Sequence, residues 1–242
     1  MYTYGFYGFD YTYFWFMLPA IIISMWAQVK VKTTFKKYSQ IRNSRGITGA
    51  DAAYRVLSYN NVMGVQIQRT PGSLTDNFNP QDKTINLSDS VYAADTIAAV
   101  GVAAHEAGHA VQHEVGYAPI RLRKALVPVA NFGSSFAFPL IFLGFILPVQ
   151  YDFFIYAGII LFSFAVLFQL VTLPVEINAS MRALKTLQDS NTLYEEEMVG
   201  AKKVLMAAAL TYLAAAFTSV LSLLRICLLY TSPSPRDKRQ SR

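Results

Sequence analysis

Four long stretches of this chain carry no charged residue, and they limit what it can fold into. They cover residues 11–28, 127–151, 153–175 and 204–224, and one acidic residue, Asp152, separates the second from the third. Each is close to the about 20 apolar residues that a helix needs to cross a bilayer. One such run could be a buried core helix, but four runs in 242 residues, of which only 15% are charged, predict an α-helical polytopic membrane protein with about four transmembrane helices.

Basic residues collect on one side of the predicted spans, whereas the other side has only Asp10 and Asp152. By the positive-inside rule the basic side is cytoplasmic, so we expect a multi-pass protein of the plasma membrane with its N-terminus outside. Positive charge follows the first span instead of preceding it, which favours an uncleaved anchor over a signal peptide. Lysines beside an anionic leaflet also explain the net charge of +6 without a nucleic-acid partner. The basic residues are Lys30, Lys32, Lys36, Lys37, Arg42, Arg45, Arg121, Arg123, Lys124, Arg182, Lys185, Lys202 and Lys203.

These patterns divide the chain into five segments. We expect an N-terminal anchor (1–29), a cytoplasmic α+β module (30–126), a transmembrane hairpin (127–175), a helix with the last span (176–226) and a tail (227–242). The tail, "CLLYTSPSPRDKRQSR", resembles a translated sequencing adapter, and we hypothesise that it is not native; the alternative is a genuine disordered tail. It holds the only cysteine, Cys227, so no disulfide can form within the chain.

The module is predicted to contain two helices and two short strands. Its longer helix begins near Thr96, with Asp95 as its cap, and runs to Val115, where Gly116 suits the left-handed position after a helix. The other elements are a helix over 50–58 capped by Thr48 or Ser44, a strand around 65–67, a loop over 71–83 and a strand over 84–88.

The long predicted helix carries an H-E-x-x-H motif, His105, Glu106 and His109. Residues four apart lie one helical turn apart on the same face, so both imidazoles can bind one zinc ion. The glutamate beside the first histidine lies within reach of a water on that metal and can act as a general base. We therefore predict His105 and His109 as metal ligands and Glu106 as the catalytic residue; the alternative is a pair of structural histidines at helical spacing.

His113 repeats the four-residue spacing but is not expected to complete the site. Eight residues of helix separate it from His105 by about 12 Å along the axis. Two nitrogens bound to one zinc ion are no more than about 4 Å apart, because each bond is about 2 Å long. The chain has no other histidine, so the third ligand must be a carboxylate.

Glu176 is the best carboxylate candidate. It follows the third span directly, where a lone charge is costly unless it is paired or coordinated. The transmembrane hairpin also returns it to the side of the membrane that holds His105 and His109. Ser180 and Asn178, close by on the same helix, can support the ligands or simply face solvent or another helix. The competing carboxylates are Glu114, Asp89, Asp95 and the charge run 195–197, which is typical of a solvated helix start.

Together these segments resemble the membrane-bound neutral zinc metallopeptidases of bacteria. The matching parts are the first span, "GITGADAAYRVL", "LTDNFNPQDKTINLSDSVY", "IAAVGVAAHEAGHAVQH" and "LPVEINASMRAL", and the resemblance extends to about Ile226. It implies a zincin-like module with one Zn²⁺ per chain, bound at the positions of His105, His109 and Glu176, and Glu106 as the base. It implies a reaction class and no particular substrate.

The expected function is therefore a membrane-bound zinc-dependent endopeptidase that acts on peptides or proteins beside the bilayer. The alternatives are a metal-dependent hydrolase of a non-peptide amide or ester and a noncatalytic metal-binding scaffold. By analogy with other zincins, the strand "TINLS" either aligns an extended peptide or is purely structural. Tyr117, Tyr92 and Arg182 are possible helpers for the oxyanion.

Overall fold

The computed structural model describes residues 11–231 of the chain, most of which are helical. The predicted fold class, an α-helical polytopic membrane protein with a small α+β module, is confirmed. The helices are α1 (Tyr11–Tyr38), α2 (Gly49–Tyr59), α3 (Ile97–Glu114), α4 (Ala118–Ile146), α5 (Phe153–Asp189) and α6 (Glu195–Thr231), with a single 3-10 turn at Val149–Tyr151. The strands are β1 (Gln66–Thr70), β2 (Asn77–Asn79) and β3 (Thr84–Ser88). Of the predicted tail, residues 227–231 continue α6, and the remainder lies outside the described residues.

The described residues form two compact units. The membrane unit contains residues 11–26, 123–171 and 213–231, and the site unit contains residues 27–122 and 172–212. Four helices, α1, α4, α5 and α6, are long and apolar enough to cross a membrane, and each has residues in both units. The predicted number of spans is therefore confirmed.

Small residues allow the helices of the membrane unit to approach closely. A Cβ atom on Gly133 of α4 would lie 2.5 Å from the carbonyl oxygen of Leu161 on α5, well inside contact distance. Gly158 on α5 faces the carbonyl oxygen of Ala137 in the same way, at 2.7 Å. Close backbone approach at small residues is the usual way in which helices pack inside lipid, where water provides no hydrophobic driving force.

The site unit is built around an apolar core to which α2, α3 and β3 contribute, with Ala52, Val56, Ile85 and Val100 among its fully buried residues. Thr48 caps α2, because its side chain accepts the N–H of Asp51 while the Asp51 carboxylate accepts the N–H of Thr48. This confirms Thr48, and not Ser44, as the start of that helix.

The cap of α3 differs from the expectation. Thr96, not Asp95, is the N-cap, since its hydroxyl accepts the N–H of Ala99 at 3.3 Å. Asp95 lies one residue too early for that bond, and its carboxylate instead pairs with the Arg42 guanidinium at 3.1 Å. At the other end Gly116 has a φ of +62°, as predicted for the left-handed residue that follows the helix.

The sheet has the order β1-β3-β2, with β1 parallel and β2 antiparallel to β3. The predicted loop over 71–83 is therefore partly wrong, because Asn77–Asn79 form an edge strand opposite Thr84 to Asn86. The central position of β3 also restricts the peptide-alignment role that the sequence left open for it. Both of its edges are already paired over residues 84–86, so a peptide cannot add to it there.

Candidate metal centre

Two helices of the site unit bring three potential metal ligands together. His105 and His109 lie one turn apart on α3, with ring centroids 4.7 Å apart, and Glu176 lies on α5. The Glu176 Oε2 atom is 3.2 Å from Nε2 of His105 and 3.4 Å from Nε2 of His109. One ligand atom from each residue lies within 4.8 Å of the others. The structure thus assembles the histidine pair and the distal glutamate that the sequence singled out.

A glycine on α3 permits this close approach. A Cβ atom at Gly108 would lie only 2.5 Å from the carbonyl oxygen of Ala179 on α5. Gly108 precedes His109 in the chain, and Ala179 lies three residues after Glu176. Any larger residue at position 108 would therefore push apart the two helices that carry the ligands.

Each histidine has a polar side chain behind its second ring nitrogen. The Ser180 hydroxyl lies 3.0 Å from Nδ1 of His105, and Oε1 of Gln112 lies 3.0 Å from Nδ1 of His109. Both Nδ1 atoms therefore have a hydrogen-bond partner, and both Nε2 atoms face the Glu176 carboxylate. Ser180 was a candidate from the sequence, but Gln112 was missed. Its position three residues after His109, on the same helical face, is the signal that could have identified it.

The site is nearly closed to solvent and rich in negative charge. Glu176 is 2% exposed, His109 8% and Glu106 9%. Burial by itself would lower the pKa of His109, but the carboxylates of Glu176 and Glu106 outweigh burial and raise that pKa above its ordinary value. The charges of Glu106 and Glu176 therefore both act on His109.

His113 lies outside this group. Its half-buried ring packs edge-on against Phe78 of β2, with centroids 6.0 Å apart. The expectation that His113 does not join the other two histidines agrees with this position.

The competing carboxylates have other partners or face solvent. Asp89 and Asp95 each accept from an arginine guanidinium, and Glu114 is exposed. Glu197 is buried, and it accepts hydrogen bonds from the backbone N–H groups of Ser44 and Tyr194. The expectation of a solvated helix start is therefore wrong for Glu197, which holds the start of α6 against the loop after α1.

The comparisons with known proteins agree with this geometry. The sequence model of a family described as "Putative neutral zinc metallopeptidase" matches residues 13–231. This chain belongs to that metallopeptidase family. A curated relative, "Putative membrane protease YugP" of Bacillus subtilis (strain 168), is 46% identical over 213 residues, which are 88% of this chain and 94% of the relative. No solved structure matches the chain.

The side chains grouped at this site fit the metal that the family name implies. Two imidazole nitrogens and one carboxylate oxygen are the protein donors of the His₂Glu class of catalytic zinc sites. Hydrogen bonds to the opposite ring nitrogens, as made here by Ser180 and Gln112, are the usual support of zinc-binding histidines. Three protein donors, in contrast to the four of a structural zinc site, would leave a coordination position on a bound ion for water or substrate.

Proposed function

We propose that this protein is a membrane-bound zinc-dependent endopeptidase in which His105, His109 and Glu176 bind one Zn²⁺ per chain. The convergence of these three ligand atoms within 4.8 Å, in a nearly closed site next to Glu106, carries the proposal. The names of the family and of the membrane protease from Bacillus subtilis support the reaction class.

Glu106 is the general base in this proposal. Zinc bound by the three ligands would supply a Lewis acid that polarises the scissile carbonyl and makes water more acidic. Glu106, buried on α3 beside His105, accepts the proton of the attacking water and passes it to the leaving nitrogen. Exclusion of bulk water strengthens every charge interaction in the site, including that between Glu106 and the developing positive charge on the amine.

The substrate is a peptide or protein close to the lipid bilayer, and the site faces the cytoplasm. Basic residues follow the first span and precede the second, and the positive-inside rule places such residues on the cytoplasmic side. These basic residues belong mainly to the site unit, together with the ligands.

The test compares wild type with Glu106→Gln in detergent-purified protein. The amide keeps the shape of the side chain but cannot accept the proton, so we expect cleavage of casein or a fluorogenic peptide library to fall by about 10²- to 10⁴-fold. Zinc content, measured by elemental analysis, should stay at one ion per chain. Glu114→Gln, which changes an exposed glutamate on the same helix, is the matched control and should cleave normally.

Two outcomes would favour the alternatives. If wild type binds zinc but cleaves no peptide across a broad library, the protein is a metal-binding scaffold. If it cleaves esters or non-peptide amides alone, and Glu106→Gln abolishes that cleavage, it is a hydrolase of another substrate class.

A further inference from the structure

A fully buried amide, that of Gln112, lies behind His109 and makes three hydrogen bonds. Its Oε1 atom is 3.0 Å from Nδ1 of His109. Its Nε2 atom donates to the carbonyl oxygen of Val175 at 2.7 Å and to Oδ1 of Asn178 at 3.0 Å. Both of the latter residues lie on α5, the helix that also carries Glu176. Gln112 therefore links the two ligand-bearing helices at one buried point.

The partners of Gln112 fix which way its amide faces. A backbone carbonyl oxygen can only accept a hydrogen bond, so the Gln112 atom that faces Val175 must be the nitrogen. The Asn178 side chain is fixed similarly, because Nε of Arg182 can only donate and lies 2.8 Å from its Oδ1 atom. The Gln112 oxygen is thereby left to face His109.

The direction of these bonds assigns the proton on His109. Since Oε1 of Gln112 can only accept, Nδ1 of His109 must carry a hydrogen in either protonation state of the ring. Nε2, which faces Glu176, is then the nitrogen that can give up its proton and bind a metal. His105 differs here, because the Ser180 hydroxyl behind it can either donate or accept.

We propose that Gln112 is a positioning residue that locks His109 in the metal-binding tautomer, with Asn178 and Arg182 holding the Gln112 amide in the required direction. The inference rests on the proposed zinc site and deepens it. It also gives Arg182 a role behind the ligands, in place of the oxyanion contact considered from the sequence. Gln112 touches no reacting atom, so its effect is on metal affinity and, through it, on activity.

The test measures zinc affinity by competition with a chromogenic chelator in the full-length, detergent-purified protein. Gln112→Met keeps the volume but removes the acceptor, and we expect zinc affinity to fall by about 10- to 100-fold. Both variants lose the donors to Val175 and Asn178. Gln112→Glu keeps an acceptor for His109 and should bind zinc more tightly than Gln112→Met, although its buried charge makes it unfold at a lower temperature than Gln112→Met. Gln188→Met, on the exposed surface of α5, is the matched control and should bind zinc normally.

A role in packing alone predicts the opposite order. Zinc affinity would then follow thermal stability, so Gln112→Met would bind like wild type and Gln112→Glu, with its buried charge, would bind worst. Either result overturns the proposal. If Gln112→Met does not fold, Arg182→Ala gives the same test with a smaller fall in zinc affinity, and an unchanged affinity overturns the proposal.

Failure of the zinc site itself is distinguishable. If wild type binds zinc no better than Glu176→Ala, the proposed function is wrong. If Glu176→Ala loses zinc while Gln112→Met keeps it, only the role of Gln112 is wrong.

Discussion

The two units of the molecule differ in what they bury. In the described part of the chain, every polar or charged residue that is almost fully buried belongs to the site unit. The residues are Asn43, Thr84, Ser88, Glu106, His109, Gln112, Thr172, Glu176, Thr186, Thr192 and Glu197. The almost fully buried side chains of the membrane unit are apolar, and they include Ala137, Ile141, Ile155 and Phe162.

This difference separates two ways to hold helices together. A buried polar group costs free energy unless it is hydrogen-bonded, so each one in the site unit requires a partner at a fixed position. Gln112 with Val175 and Glu197 with Ser44 show such pairs. Helices α4 and α5 of the membrane unit instead approach each other at small residues, Gly133 and Gly158, and the hydrogen bond between the Ser24 and Thr218 hydroxyls in this unit joins side chains that are only partly buried. Chemical function is therefore expected to depend on the site unit and stability on both.

Removal of the Glu176 carboxylate should have the largest effect. Glu176→Ala deletes the proposed third ligand and the anion between the two histidines. We expect zinc affinity to fall by more than the about 10- to 100-fold that loss of a supporting hydrogen bond causes. Peptide cleavage should be lost with it. Zinc competition, peptide cleavage and circular dichroism would be measured on the same preparation.

The matched control for this variant is Glu195→Ala, which removes an exposed glutamate at the start of α6 and should bind zinc normally. Helix content should be unchanged in both variants, because the membrane unit and the apolar core of the site unit contain neither side chain. Normal zinc binding by Glu176→Ala would show that another group completes the site.

A pair of glycine substitutions tests the comparison between units more directly. Gly108→Ala and Gly133→Ala each place a Cβ atom 2.5 Å from a carbonyl oxygen on α5, the first in the site unit and the second in the membrane unit. Overpacking of this kind costs about 1–3 kcal/mol, so both variants should unfold at lower temperature in detergent. Only Gly108→Ala should also weaken zinc binding, since it separates the helices that carry the ligands.

Thermal unfolding and zinc competition on both variants would check this expectation. Equal loss of zinc affinity in the two would contradict it, because the membrane unit would then also control the geometry of the ligands.

The parts of the molecule that could be predicted from the sequence depend on local patterns. Uncharged runs identify the four spans, and the spacing of His105 and His109 identifies a helix that presents both rings on one face. Glu176 can be predicted from the sequence by a different argument. A carboxylate beside a span needs a partner, and the hairpin returns it to the side that holds the histidines.

The features that were missed depend on contacts between distant residues. β2 consists of Asn77–Asn79, a segment without strand periodicity, and it forms because it pairs with residues of β3. Gln112 is one polar residue among several on α3, and its partners on α5 are 63 and 66 residues away. Burial of Glu197 also depends on a distant partner, the loop that contains Ser44. No local pattern contains such information.

The smallest effect is expected at His113, which has the right spacing for a ligand but lies apart from the three grouped side chains. His113→Ala removes an edge-on contact with Phe78 of the kind worth about 0.5–1.5 kcal/mol, so a small decrease in unfolding temperature should result. Zinc affinity and peptide cleavage should equal those of wild type, whereas His105→Ala should lose both. The two substituted histidines lie about two turns apart on α3, so the comparison of the variants separates the effect of position from the effect of residue type. A large fall in zinc affinity for His113→Ala would show that the site unit uses its third histidine for the metal, and the ligand set proposed here would have to change.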